Sequence, residues 1–135
     1  MPQPFRTTAG IVLLAITLAG AGCSRTDERL AQRQEKLESL GATTSAIGDA
    51  WLAGSISGTY TRTALRQTLR LVEQERSTLA ATPEALRDPR GARLSQAAER
   101  LSRLVAAMSG DVGAADAASV RQRLADIPIA PPERR

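Results

Sequence analysis

The chain contains no histidine, one cysteine (Cys23), one lysine (Lys36) and three aromatic residues, Phe5, Trp51 and Tyr60. Each shortage narrows the chemistry. Without histidine, the commonest general base and the commonest metal ligand are missing together. A single cysteine forms no disulfide within the chain, and the Cys-x-x-Cys-His attachment site of covalent haem is excluded. Sparse aromatic residues make the sequence a poor source of strands, while its alanine and leucine suit closely packed helices. Serines and threonines are plentiful, but the only amine that could activate one is Lys36, on the polar side of the helix predicted around it. No uninterrupted apolar run reaches the ~20 residues that a bilayer-spanning helix needs.

What is present is mostly alanine, leucine and arginine, with a net charge of +4. Arginine keeps its charge at any accessible pH and forks onto carboxylates or phosphates. The excess is small enough for helix-face pairs to absorb, and no aromatics interleave with the arginines, so nucleic acid is not an expected partner.

The N-terminus has three parts. Residues 1–8 carry one charged side chain, Arg6; residues 9–21 carry none and include the block Ile11, Val12, Leu13, Leu14, Ile16 and Leu18; small residues then lead to Cys23. A weakly basic start, a short apolar segment and a small-residue cleavage region are the parts of a secretory signal. The apolar run is only about 20 Å long as a helix, against a ~30 Å bilayer core. Leu18-Ala19-Gly20-Ala21-Gly22-Cys23 resembles the lipobox of bacterial lipoprotein signal peptides. Ala21 and Gly22 supply the small side chains that family requires before its cysteine; Gly20 stands where the family usually has leucine. The resemblance covers residues 1–23 and implies cleavage before Cys23, lipid (palmitate among the acyl chains) on Cys23, and export of the rest to the cell envelope. Ser24, rather than aspartate, follows the cysteine. In a Gram-negative source the resemblance then implies the outer membrane, facing the periplasm.

Residues 23–127 are expected to form one small all-α domain, an antiparallel up-and-down bundle of three to four amphipathic helices. The first helix, about 26–53, is predicted from Leu30, Arg33, Leu37, Leu40, Thr44, Ile47 and Trp51, which recur at alternating spacings of three and four. Ser24 or Thr26 should cap it. That seam either packs on its own domain or joins a second copy as a coiled coil, so a homo-oligomer through 26–53 is one expectation. Gly54 to Gly58 read as a turn, with Ser57 or Thr59 capping a second helix, about 59–81, whose apolar face is Leu65, Leu69, Val72 and Leu79. Thr82-Pro83 and Asp88-Pro89 each place proline after a cap. The first predicts a single turn and the second a helix over about 90–108, with Leu94, Ala97, Ala98, Leu101, Leu104, Val105 and Met108 inward. Ser109-Gly110-Asp111 should end it and open a fourth helix, about 112–126. Pro128, Pro131 and Pro132 predict an extended, disordered tail over 128–135.

Two groups of side chains are candidate sites. Cys23 is the expected lipidation site. Arg62, Arg66 and Arg70 lie at i, i+4 and i+8 of the second helix, where like charges repel by a few tenths of a kcal/mol per pair. They either pair with acids on a neighbouring helix or meet an anionic partner, an envelope protein or a lipid headgroup. Glu35 and Glu38 share a helix face, but no third ligand accompanies them and Arg33 and Lys36 should balance them. No cofactor, metal or catalytic residue is expected. The function class that fits is a membrane-anchored envelope lipoprotein with a non-enzymatic binding or scaffolding domain; the alternative is an accessory subunit of an envelope enzyme whose site another chain completes.

Overall fold

The fold was analysed in a computed structural model of the chain, which describes the backbone of residues 8–128 and the side chains of residues 25–128. All regular structure among the described residues is helical: α1 (Thr8–Leu52), α2 (Gly58–Ala80), α3 (Pro83–Arg87), α4 (Pro89–Gly113) and α5 (Ala117–Ala125). The five helices pack against one another, most extensively α2 on α4. Among the described residues no helix is long and apolar enough to cross a membrane.

The α1 seam is covered by the chain's own helices: Leu30, Leu37, Leu40 and Thr44 are buried, and Ile47 and Trp51 pack on the core. α1 does not begin at Ser24 or Thr26 as its capping pattern suggested. It runs unbroken from Thr8, because no proline interrupts residues 8–52 and the peptide upstream of Cys23 is itself rich in good helix formers. Its C-terminus is a Schellman closure: the Gly54 N–H donates to the Trp51 carbonyl and the Ser55 N–H to Ala50, with Gly54 at φ 72°.

Ser57 caps α2, its hydroxyl accepting the Tyr60 N–H at 3.2 Å. Thr61, Leu65, Thr68, Val72, Glu75 and Leu79 are buried along one heptad stripe. Leu69, expected on that face, is only half-buried at its edge. α3 is the single turn expected after Pro83, although Thr82 gives it no side-chain cap and instead donates its hydroxyl to the Thr78 carbonyl. Asp88 caps α4 by accepting the Arg90 N–H at 2.9 Å.

α4 passes through Ser109-Gly110-Asp111 instead of stopping at 108. Met108 and Val112 are one turn apart and both buried, and their burial outweighs the ~1 kcal/mol cost of Gly110 in a helix interior. The helix ends in a second Schellman closure, with the Ala115 N–H on Val112 and the Asp116 N–H on Asp111. Ala115, not glycine, holds the left-handed position at φ 55°. Asp116 then caps α5, which begins at Ala117 rather than about 112.

The core has two parts. Leu40, Leu65, Val72, Leu101, Val105, Met108, Val112, Val120 and Ile127 form the larger, and Leu30, Leu37, Leu79, Ala85 and Ala98 the smaller. Neighbouring elements touch at defined levels: Arg33 of α1 with Glu75 of α2, Gly58 with Trp51 and Val112, Glu73 with Ser102, and Gly48 with Leu124. Gly91 lets the start of α4 approach α3 so closely that a Cβ there would overlap the Ala85 carbonyl.

Candidate functional site

The arginine row stands on the outer face of α2. Arg62, Arg66 and Arg70 are all exposed, and among the described residues none forms an ion pair. The neighbouring-helix acids that a structural role would need are not there. Glu73, the nearest acid in sequence to Arg70, turns away: it accepts a hydrogen bond from Ser102 and pairs with Arg76 at 3.2 Å. Arg62 lies across the end of α4, its Nε 3.7 Å from where a Gly113 Cβ would stand. There it meets the partial negative charge of a helix C-terminus. Arg66 is steadied only by long hydrogen bonds, both 3.4 Å, from Nε to the Arg62 carbonyl and from Nη2 to Thr63 Oγ1. The row is therefore an uncompensated cationic stripe, about 12 Å long from Arg62 to Arg70.

The acid that does pair across helices is Glu75. It is 1% exposed and sits in the α2 seam between Val72 and Leu79. Arg33 Nη1 donates to both carboxylate oxygens, at 3.0 and 2.9 Å, and Lys36 Nζ lies 2.7 Å from Oε1. Burial pushes the carboxyl's pKa up, but the hydrogen bonds and positive charges of Lys36 and Arg33 outweigh it, and the net shift is downward from 4.5. Arg33 and Lys36 thus serve Glu75 rather than balancing Glu35 and Glu38; Glu38 instead accepts a hydrogen bond from Gln34 at 3.0 Å. Two seam interruptions, Arg33 in α1 and Glu75 in α2, answer each other. The sequence signal was present: Glu75 falls three residues after Val72 and four before Leu79, a heptad position.

A groove of about 520 Å³ opens between α1 and α4. Leu30, Leu37, Leu94, Ala97 and Leu101 line its floor, Arg93 its rim, and Pro128 its end. Near the opposite end Arg90 bridges Asp27, at 2.6 Å, and Asp88, at 2.7 Å. The Arg90 guanidinium and backbone N–H hold the Asp88 carboxyl down at about 2. Among the described residues no group of three or more histidine, cysteine or acidic side chains could hold a metal ion.

Cys23 falls in α1, but its side chain lies outside the described residues, as do residues 129–135 of the expected tail. No protein-family model, curated protein or solved structure matches the chain.

Proposed function

We propose that the chain is a lipid-anchored lipoprotein of a bacterial cell envelope, held by lipid on Cys23, whose helical domain binds an acidic envelope protein through Arg62, Arg66 and Arg70. The domain is read as non-enzymatic and as an up-and-down antiparallel bundle. Supporting the bundle, Arg33 meets Glu75 while Trp51 meets Gly58, so residue numbers rise along α1 as they fall along α2. The same opposition relates α2 to α4, through Glu73 with Ser102 and Gly58 with Val112. Ser24 after the lipidated cysteine favours the outer membrane, facing the periplasm, in a Gram-negative source.

The observation that carries the binding reading is the missing counter-charge. Three guanidinium groups repel one another and no acid of the fold relieves them, so the row costs folding stability and suits an external anion. Its height selects a protein partner over headgroups of the anchoring bilayer. From the Asp27 level to the Trp51 level α1 rises about 36 Å, which puts Arg62 about 30 Å and Arg70 about 18 Å above Asp27 in an upright bundle. Both distances exceed the ~8 Å over which physiological salt screens a surface charge.

The reading is tested in intact cells with a photoreactive group at Gln67, beside the row. Wild type should yield a discrete adduct and incorporate labelled palmitate. Cys23→Ser should lose the label. Reversing Arg62, Arg66 and Arg70 to glutamate should abolish the adduct and leave melting nearly unchanged. The same adduct from the reversed chain would defeat the binding face, and palmitate on the Cys23→Ser chain would defeat the anchor.

A further inference from the structure

We infer that residues 129–135, Ile-Ala-Pro-Pro-Glu-Arg-Arg, occupy the groove between α1 and α4 as a strap running from Leu101 down to Arg90. The inference is independent of the lipid anchor and of the arginine row. It starts from where the described chain leads. Ile127 is buried in the larger core cluster with Leu40 and Leu101, and Pro128 already forms one end of the groove. Residue 129 therefore enters the groove directly.

Length agrees. From Leu101 to Arg90 the groove follows α4 for about 17 Å, and from Gly41 to Asp27 it follows α1 for about 21 Å. Seven residues in the extended form that Pro131 and Pro132 favour span about 22 Å.

Composition agrees as well. Ile129, Ala130, Pro131 and Pro132 are apolar and match the stretch floored by Leu37, Leu94, Ala97 and Leu101. Proline lacks an N–H, so Pro131 and Pro132 would bury no unsatisfied donor on that floor. The charged residues come last, where the groove becomes charged. Glu133 arrives at the level of Arg90 and Arg93, and Arg134 and Arg135 at the level of Asp27. α5 explains why the groove needs this cover. It has nine residues and packs over α1 near Gly48, leaving the lower halves of α1 and α4 without a helix across them.

The test uses the full chain with Cys23→Ser, so that engineered thiols have no competitor. Ala97→Cys with Ala130→Cys, and Ala31→Cys with Glu133→Cys, place the two thiols at matching levels of groove and strap. Under mild oxidation both pairs should close within one chain roughly tenfold faster than Glu99→Cys with Ala130→Cys, whose helix position faces away. A second readout avoids paired substitutions. Ala31→Cys should react with a bulky maleimide roughly tenfold faster in a chain ending at Pro128 than in the full chain. Equal closure of all three pairs, or equal labelling with and without residues 129–135, would overturn the strap. Disulfides forming only between chains would overturn it in favour of a second copy.

Discussion

Removing the two cations from Glu75 isolates what the α1–α2 contact depends on. In Arg33→Ala/Lys36→Ala, a carboxylate 1% exposed keeps its place in the seam but loses its hydrogen-bonding cations at 2.7–3.0 Å. It must stay charged and unpaired or take up a proton. Protonating a carboxyl of ordinary pKa 4.5 at pH 7 costs about 3.4 kcal/mol, which caps the penalty of the orphaned charge. The expected loss is therefore about 3 kcal/mol, at the lower edge of the 3–5 kcal/mol typical for breaking a buried pair. In a domain of roughly 100 residues that lowers the melting temperature by about 10–20 °C. Glu75→Leu should behave oppositely. Arg33 and Lys36 are 37% and 47% exposed, so both return to water, and leucine completes the stripe between Val72 and Leu79; stability stays level or rises. Acid titration adds a signature. The folded pKa of Glu75 is depressed, so its contribution is complete above about pH 4.5 and disappears as pH falls through the lower folded value. Glu75→Leu should flatten that part of the stability profile. Urea denaturation followed by far-ultraviolet circular dichroism at pH 7 and between pH 5 and 2 measures both effects. A double-alanine chain as stable as wild type at pH 7 would refute the reasoning.

Leu101 is 3% exposed and belongs to the larger core cluster, so Leu101→Ala should cost about 2–5 kcal/mol in urea unfolding, whereas Arg100→Ala, on the exposed face, should stay within about 0.5 kcal/mol. Equal effects would mean that α4 does not bury this face. Ala115 occupies a left-handed position at φ 55°, which costs an L-residue about 1–2 kcal/mol, so Ala115→Gly should stabilise the chain by about 1 kcal/mol after the entropy of glycine is deducted; a lower unfolding midpoint would count against the closure described for α4.

How much of this was legible depended on how far apart the deciding groups lie. The stripe of α4 from Leu94 to Met108, the α1 seam, the cap at Ser57 and the Asp88-Pro89 restart are recorded within a few residues of chain, because helix periodicity and capping are local. The end of α4 was misplaced for an equally local reason. The sequence signal for a left-handed closure is glycine, and Gly110 and Gly113 carry that signal while Ala115 takes the conformation.

The sequence alone determined the all-helical class, the faces that turn inward and the absence of histidine chemistry, since each is a property of residue type and short spacing. Only the tertiary structure decided that Glu75, 42 positions from Arg33, would draw two cations into a buried cluster, that no acid would reach Arg62, Arg66 and Arg70, and that α5 would leave a groove open beside Pro128. Each of these outcomes depends on which helix faces meet and at what height. Side chains on different helices are brought within hydrogen-bonding distance by packing, and no local pattern encodes that distance.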